Sequence, residues 1–410
     1  MKLINVNCIA GLSMAVLLAA CGGGGGSSSS TTPTAVTYGS TSTKGDYATW
    51  TIAGSNLTAV WQEIDSLGAI DSTINLTATC GTPDATYSFR TCTFVTITST
   101  DPAATLPAIG STFDILESPG NVIFVHTGSA GTNDEQVHAG ILKSSSGCTE
   151  DLTGDYIYSH AGFDHRDLWG FYTTTGSDFL DVTHADFSMV GASIASATMQ
   201  YATGGGTGDG TGSIIGTTCT DGVRTVDLGV DGTARLVKTE NGMFILDLPS
   251  GKGGIVAFKS SNAATPTNIA GKRFGVVVFE EQGTTKQTSL LDLTASAVVT
   301  SGGDSSITLT GTGNDLGSTV INATLEPLSN PGLATRYATP AAYTANNTLA
   351  TTFPDPKNVQ GVFQVTTDAG PNVILTMATG PAGKLIGFGN SSKLVGTNLR
   401  GKGSFFIFEK

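Results

Sequence analysis

The sequence predicts an all-β protein of tandem antiparallel β units, small barrels or sandwiches, in an approximate threefold repeat, with one short helix near the N-terminus. Three observations predict it. Charged residues make up only 13% of the chain while 54 of its 410 residues are Gly, a balance that suits strands joined by tight turns and disfavours long helices. Short segments such as 93–98, 223–228 and 307–310 alternate polar and apolar residues, and a period of two sets one face against a core and the other in water. A glycine–strand–turn–strand phrase also occurs three times, in 110–125, 232–246 and 361–375. Its spacing is far too long for a solenoid turn or a propeller blade.

At the start of the chain, Lys2 supplies a positive end and Ile9 to Ala20 an apolar segment closing on small residues. Residues 1–20 thus have the parts of a secretory signal, and the apolar run is shorter than the about 20 residues that cross a hydrocarbon core. The final positions, Leu18-Ala19-Ala20-Cys21, resemble the lipobox of bacterial lipoproteins, small residues before an obligatory cysteine. The resemblance implies cleavage before Cys21, diacylation of its thiol and a lipid anchor, which two or three acyl chains make stable. Gly22 rather than Asp follows, which by analogy with Gram-negative lipoproteins implies the outer membrane, on its periplasmic or cell-surface side. Residues 21–36, with Gly22 to Gly26 and Ser27 to Ser30, act as a tether of roughly 20 Å root-mean-square reach. An ordinary cleaved signal with a chance cysteine would leave that tether without a purpose.

The helix is expected next. Leu57, Val60, Trp61, Ile64 and Leu67 recur at three and four, with Ser55 placed to cap and Gly68 to stop. Of the six cysteines, Cys8 leaves with the signal and Cys21 takes lipid. Cys80, Cys92, Cys148 and Cys219 remain, an even number that suggests two disulfides in an exported chain. Three connectivities are open. The expected one joins Cys80 to Cys92 across a hairpin turning at Gly81 to Asp84, and Cys148 to Cys219.

The repeat divides the chain into units 37–147, 148–264 and 265–410. In each, a third strand ends on a serine pair, at Ser144-Ser145, Ser260-Ser261 and Ser391-Ser392. Strand-opening glycines stand at Gly45, Gly154, Gly271 and Gly401, spaced 109, 117 and 130 residues apart. Such a glycine followed by an aromatic resembles the opening strand of lipocalin-like barrels, and no residue role is carried over from them. Three units need three openings and the chain has four. Either each unit borrows a strand from the next segment, or Gly401–Glu409 closes the last sheet against Gly271–Glu280 and hides Phe405, Phe406 and Phe408.

Composition disfavours one partner class. The formal charge is −13 with no basic cluster, so no nucleic acid is expected, since that needs Lys and Arg to neutralise phosphates. All five histidines lie between His126 and His184, densest around His160, Asp164, His165 and Asp167. Imidazole and carboxylate that converge bind a divalent metal or a polar ligand; the same segment also reads as a polar hairpin loop without regular ligand spacing. The run Gly204–Gly212 lacks the Lys-Ser/Thr ending of a phosphate loop and reads as a hairpin loop. No G-x-S-x-G or H-E-x-x-H motif is present. The expectation is a non-catalytic, lipid-anchored outer-membrane protein without a cofactor, acting as a binding or structural module toward a small molecule, glycan or protein. The alternatives are an adhesive or spacer protein of the cell surface and an exported hydrolase with a site near the His160–Asp167 loop.

Overall fold

Strands β1 (Val36–Ser42), β2 (Tyr47–Ala53), β3 (Asn56–Ile64), β4 (Ile70–Cys80), β5 (Phe89–Ser99), β6 (Thr112–Ser118), β7 (Val122–Thr127) and β8 (Gln136–Leu142) form a closed antiparallel barrel in chain order. This is a computed structural model, and it describes residues 33–104, 106–128, 136–144, 154–161, 169–174, 181–190, 193–203, 215–227, 232–249, 253–282, 285–313, 320–330, 360–367, 370–395 and 398–410. Closure comes from β1 lying against both β2 and β8, with Tyr38 opposite Trp50 on one side and Leu142 on the other. Alternation sends Trp50, Leu57, Trp61, Leu76, Phe94 and Ile115 into the lumen, all buried.

The expected helix is a strand. Leu57, Ala59 and Trp61 point inward on β3 while Val60 faces out, 42% exposed. The three-and-four spacing had counted Val60 as core and passed over Ala59, whose small side chain carries the true period of two. Among the described residues, the α-helix is α1 (Pro266–Ile269), a single turn closed by a Thr265–Asn268 capping box.

A second sheet takes β9 (Gly154–Ala161), β10 (Trp169–Thr174), β11 (Asp181–Val190), β12 (Ser193–Thr203), β13 (Ile215–Thr220), β14 (Val223–Asp227), β15 (Thr233–Lys238), β16 (Phe244–Asp247) and β17 (Gly254–Lys259). Its order is β12-β11-β10-β9-β17-β16-β15-β14-β13, so its first and last strands in sequence are neighbours. The third sheet is built from β18 (Arg273–Gln282), β19 (Thr285–Ala295), β20 (Val299–Ser301), β21 (Asp304–Gly313), β22 (Val320–Pro327), β23 (Val362–Thr367), β24 (Gly370–Thr379), β25 (Leu385–Val395) and β26 (Asn398–Glu409). Pairing of β19 with β21 closes eight of these strands into a second barrel and leaves β20 as an arm on β21.

The fourth glycine opening is thereby placed. Strand β26 lies between β18 and β25, with Phe406 opposite Val277 and Phe388, so the chain end closes the last sheet. Counting from the shared hairpins β6–β7–β8 and β23–β24–β25, β26 occupies the position that β1 holds in the first barrel. The second closed barrel is a circular permutation of the first, its first-position strand moved to the end of the chain.

Runs such as Val122–Val125 and Phe405–Phe408 are apolar at every position because both strand faces are buried. Phe405 and Ile407 fill the interior of the closed third sheet, whereas Phe406 and Phe408 join a core shared by all three sheets. Phe124 is the hub of that shared core, its ring 5.1 Å from Phe406 and 6.0 Å from Phe388, which in turn lies 5.6 Å from Phe258. Buried polar contacts add direction: Ser159 Oγ donates to Phe388 O at 2.9 Å, and Asn121 Nδ2 to Lys384 O at 3.4 Å. Ala35–Lys410 consequently hold together as one unit.

Candidate functional site

Two places on the first barrel carry polar groups that the fold alone does not demand. One is its outer wall over β2–β5. Because alternate residues of each strand face out, register alone decides what lies beside what. Thr51 stands opposite Thr58, Thr58 opposite Thr77, and Thr77 opposite Thr96, while Thr37 on β1 continues the row beside Thr51. Five strands thus place five threonines in one line across the sheet. The adjacent row runs Thr49, Val60, Asn75, Thr98. Between the rows lies an open groove of about 300 Å³ lined by these side chains.

Hydroxyls within the row already pair, Thr37 with Thr51 at 3.0 Å and Thr77 with Thr96 at 2.8 Å, while Thr58 is exposed between them. Each hydroxyl can donate once and accept twice, so the paired ones keep acceptor capacity. The lining holds no ionisable side chain. An uncharged surface that alternates hydroxyls with methyls fits a ligand of the same make-up, many hydroxyls on an apolar carbon frame.

The other place is the loop end of the lumen. His138 on β8 is fully buried, edge-on to Trp50 and Trp61 at ring separations of 5.3 and 5.0 Å. Burial, with a smaller push from the Lys44 charge, drives the imidazole pKa down to about 3, so it is neutral at any physiological pH. Asp46, at the same end, is pushed up to about 6 by burial, opposed by the Ile64 N–H that reaches its Oδ1 at 3.4 Å. Trp61 Nε1 has no partner at hydrogen-bonding distance, yet the indole lies near enough to Asp46 to favour its charged form. Where this end meets the second sheet, Thr41 Oγ1 donates to Asp247 Oδ1 at 2.6 Å. Burial holds that carboxyl well above the usual carboxylate range, with Arg235 a weaker opposing influence.

The Cys80–Cys92 disulfide is present, its residues directly opposite each other on β4 and β5 with Cα atoms 3.9 Å apart. The connection is an eight-residue loop, 81–88, organised by Asp84 accepting from the Thr86 and Tyr87 N–H groups, rather than a tight turn. Cys219 is disulfide-bonded; Cys148 and Cys21 lie outside the described residues. Of the histidine-rich stretch, His160 sits on β9 opposite Ile255, and Asp164, His165 and Asp167 lie outside the described residues. His126 and His138 occupy opposite faces of the first barrel's wall, outward and inward. Among the described residues no group of three or more His, Cys, Asp or Glu is placed to hold a metal ion.

The threonine rows escaped the sequence because they need the register of five strands at once. The paired phrases Asn56-Leu57-Thr58 and Asn75-Leu76-Thr77 were the available signal. No protein-family model matches the chain, and no curated protein matches it in sequence.

Proposed function

We propose that the chain is a bacterial lipoprotein, fastened to the outer membrane through acyl groups on Cys21, whose first barrel binds an uncharged, polyhydroxylated ligand of the glycan class without catalysis. One observation carries the binding assignment: the groove over β2–β5, where register lines hydroxyls up across the strands and leaves charge out. The anchor rests on Leu18 to Cys21 and the tether behind it.

The adhesive or spacer alternative draws support from the apolar filling of the lumen and of the other sheets' interiors. The hydrolase alternative draws on the His160–Asp167 loop alone.

Glycan-array binding of the full chain tests the assignment. Thr58→Val together with Thr77→Val removes two central hydroxyls at nearly constant volume and is expected to weaken binding by one to two orders of magnitude, since each lost hydrogen bond counts about 1 kcal/mol. Binding that survives the pair unchanged, or no glycan bound by the parent chain, would remove the groove from consideration. Labelling with a palmitate analogue tests the anchor separately, with Cys21→Ser expected to abolish incorporation.

A further inference from the structure

We propose that the loop end of the first barrel's lumen is a second binding site, for a small uncharged molecule that both donates and accepts hydrogen bonds, held by Trp61, Thr127, Gln136 and His138. Water is the smallest such molecule. The site lies inside the barrel wall and does not depend on the outer groove.

Five buried polar atoms from these four side chains have no hydrogen-bond partner: Trp61 Nε1, Thr127 Oγ1, Gln136 Oε1 and both ring nitrogens of His138. None of the four residues is more than 8% exposed. Buried polar groups are almost always paired, because each unpaired one costs about 1–3 kcal/mol. One orphan is tolerable. Five in one place call for a partner.

Strand parity shows that they share that place. Ile123 and Val125 line the lumen, so Thr127 on the same face of β7 does too. Val137, Ala139 and Ile141 face the shared outer core, so Gln136 and His138 face inward. Thr127 stands directly opposite Gln136, and Val125 opposite His138, one step deeper. The ring of Trp61, from β3, comes within 5.0 Å of His138.

Their chemistry defines the occupant. The indole N–H only donates, the amide Oε1 only accepts, the neutral imidazole does one of each, and the hydroxyl does both. A partner must therefore offer donors and acceptors together. The Asp46 carboxyl beside Trp61 already takes the Ile64 N–H as its partner, and aromatic walls on two sides, Trp50 and Trp61, leave a charged guest poorly compensated. An eight-stranded lumen has room for packed side chains or one small ligand, and here Tyr38, Trp50, Leu57 and Phe94 already fill the rest, so the guest has few atoms. An imidazole N–H resting on a tryptophan face would account for one of the five atoms, and leaves Gln136 and Thr127 unexplained.

The test uses the full chain labelled with ¹⁵N. Cross-relaxation from a long-lived water to the Trp61 indole N–H, or a neutral small molecule released on unfolding and found by mass spectrometry, is the expected result; the first identifies the occupant as water, the second as an organic guest. His138→Phe should abolish the signal while the Trp61 resonance persists, and Gln136→Leu, a milder change, should weaken it. Finding neither water nor guest overturns the proposal. So does a higher urea midpoint in His138→Phe at pH 8, where the parent's imidazole is neutral folded and unfolded alike, because deleting dry, unpaired atoms stabilises a fold.

Discussion

His138 and Asp46 titrate in opposite senses a few residues from the same turn, and their balance sets how the fold responds to acid. His138 has its folded pKa near 3 against an ordinary 6.5. Its contribution is present above 6.5 and is lost as pH falls toward 3, by about 5 kcal/mol in all at about 1.4 per unit. Asp46 has its folded pKa near 6 against 3.8. Its contribution is full below 3.8 and is lost as pH rises through 6, by about 3 kcal/mol. Asp247, also raised, acts in the same sense as Asp46. With two raised carboxyls opposing one lowered imidazole, urea midpoints should fall as pH rises from about 4 to 6. In Asp46→Asn the midpoint should be nearly level over that interval, the imidazole then opposing Asp247 alone; in His138→Phe it should rise more steeply than in the parent as pH falls. Parallel profiles for both variants and the parent chain would refute the assignment.

Strands and hairpins were the level at which sequence and structure met best. The three glycine–strand–turn–strand phrases are β6–β7, β15–β16 and β23–β24, because a Gly/Asn turn between apolar runs leaves the backbone few other choices. Cys80 and Cys92 were legible for the same reason, twelve residues apart around one connection. Replacing both with Ala should cost about 3 kcal/mol by loop-closure entropy, read as a lower thermal midpoint with the β-sheet circular dichroism unchanged; an unaltered midpoint would show that the cross-link constrains nothing. Pattern failed at β3. There an outward Val60 in a threonine-rich wall imitated helical spacing, and the inward Ala59 was too small to register as core. The threonine wall itself was hidden for a related reason: a threonine on a strand says little until its neighbours four strands away are known. His138 was visible only as one of five histidines, since the partners that isolate it, Trp50 and Trp61, come from other strands.

Across the molecule, the shared core couples three sheets that composition would have left as beads on a string. Phe124 is 1% exposed and touches aromatic rings from the last sheet. Phe124→Ala should cost about 3–5 kcal/mol and lower one common calorimetric transition for the whole body, whereas three separately shifting transitions would show the sheets to be independent. The permuted position of β26 has a further effect in time. A growing polypeptide emerges amino end first, so the first barrel owns all its strands once Leu142 is out, while the other closed barrel cannot seal until the twelve residues of β26, Asn398–Glu409, are free. Any copy cut short by a premature stop or a nick near its tail would keep an open seam between β18 and β25, flagged for proteases by the very edge that intact copies conceal.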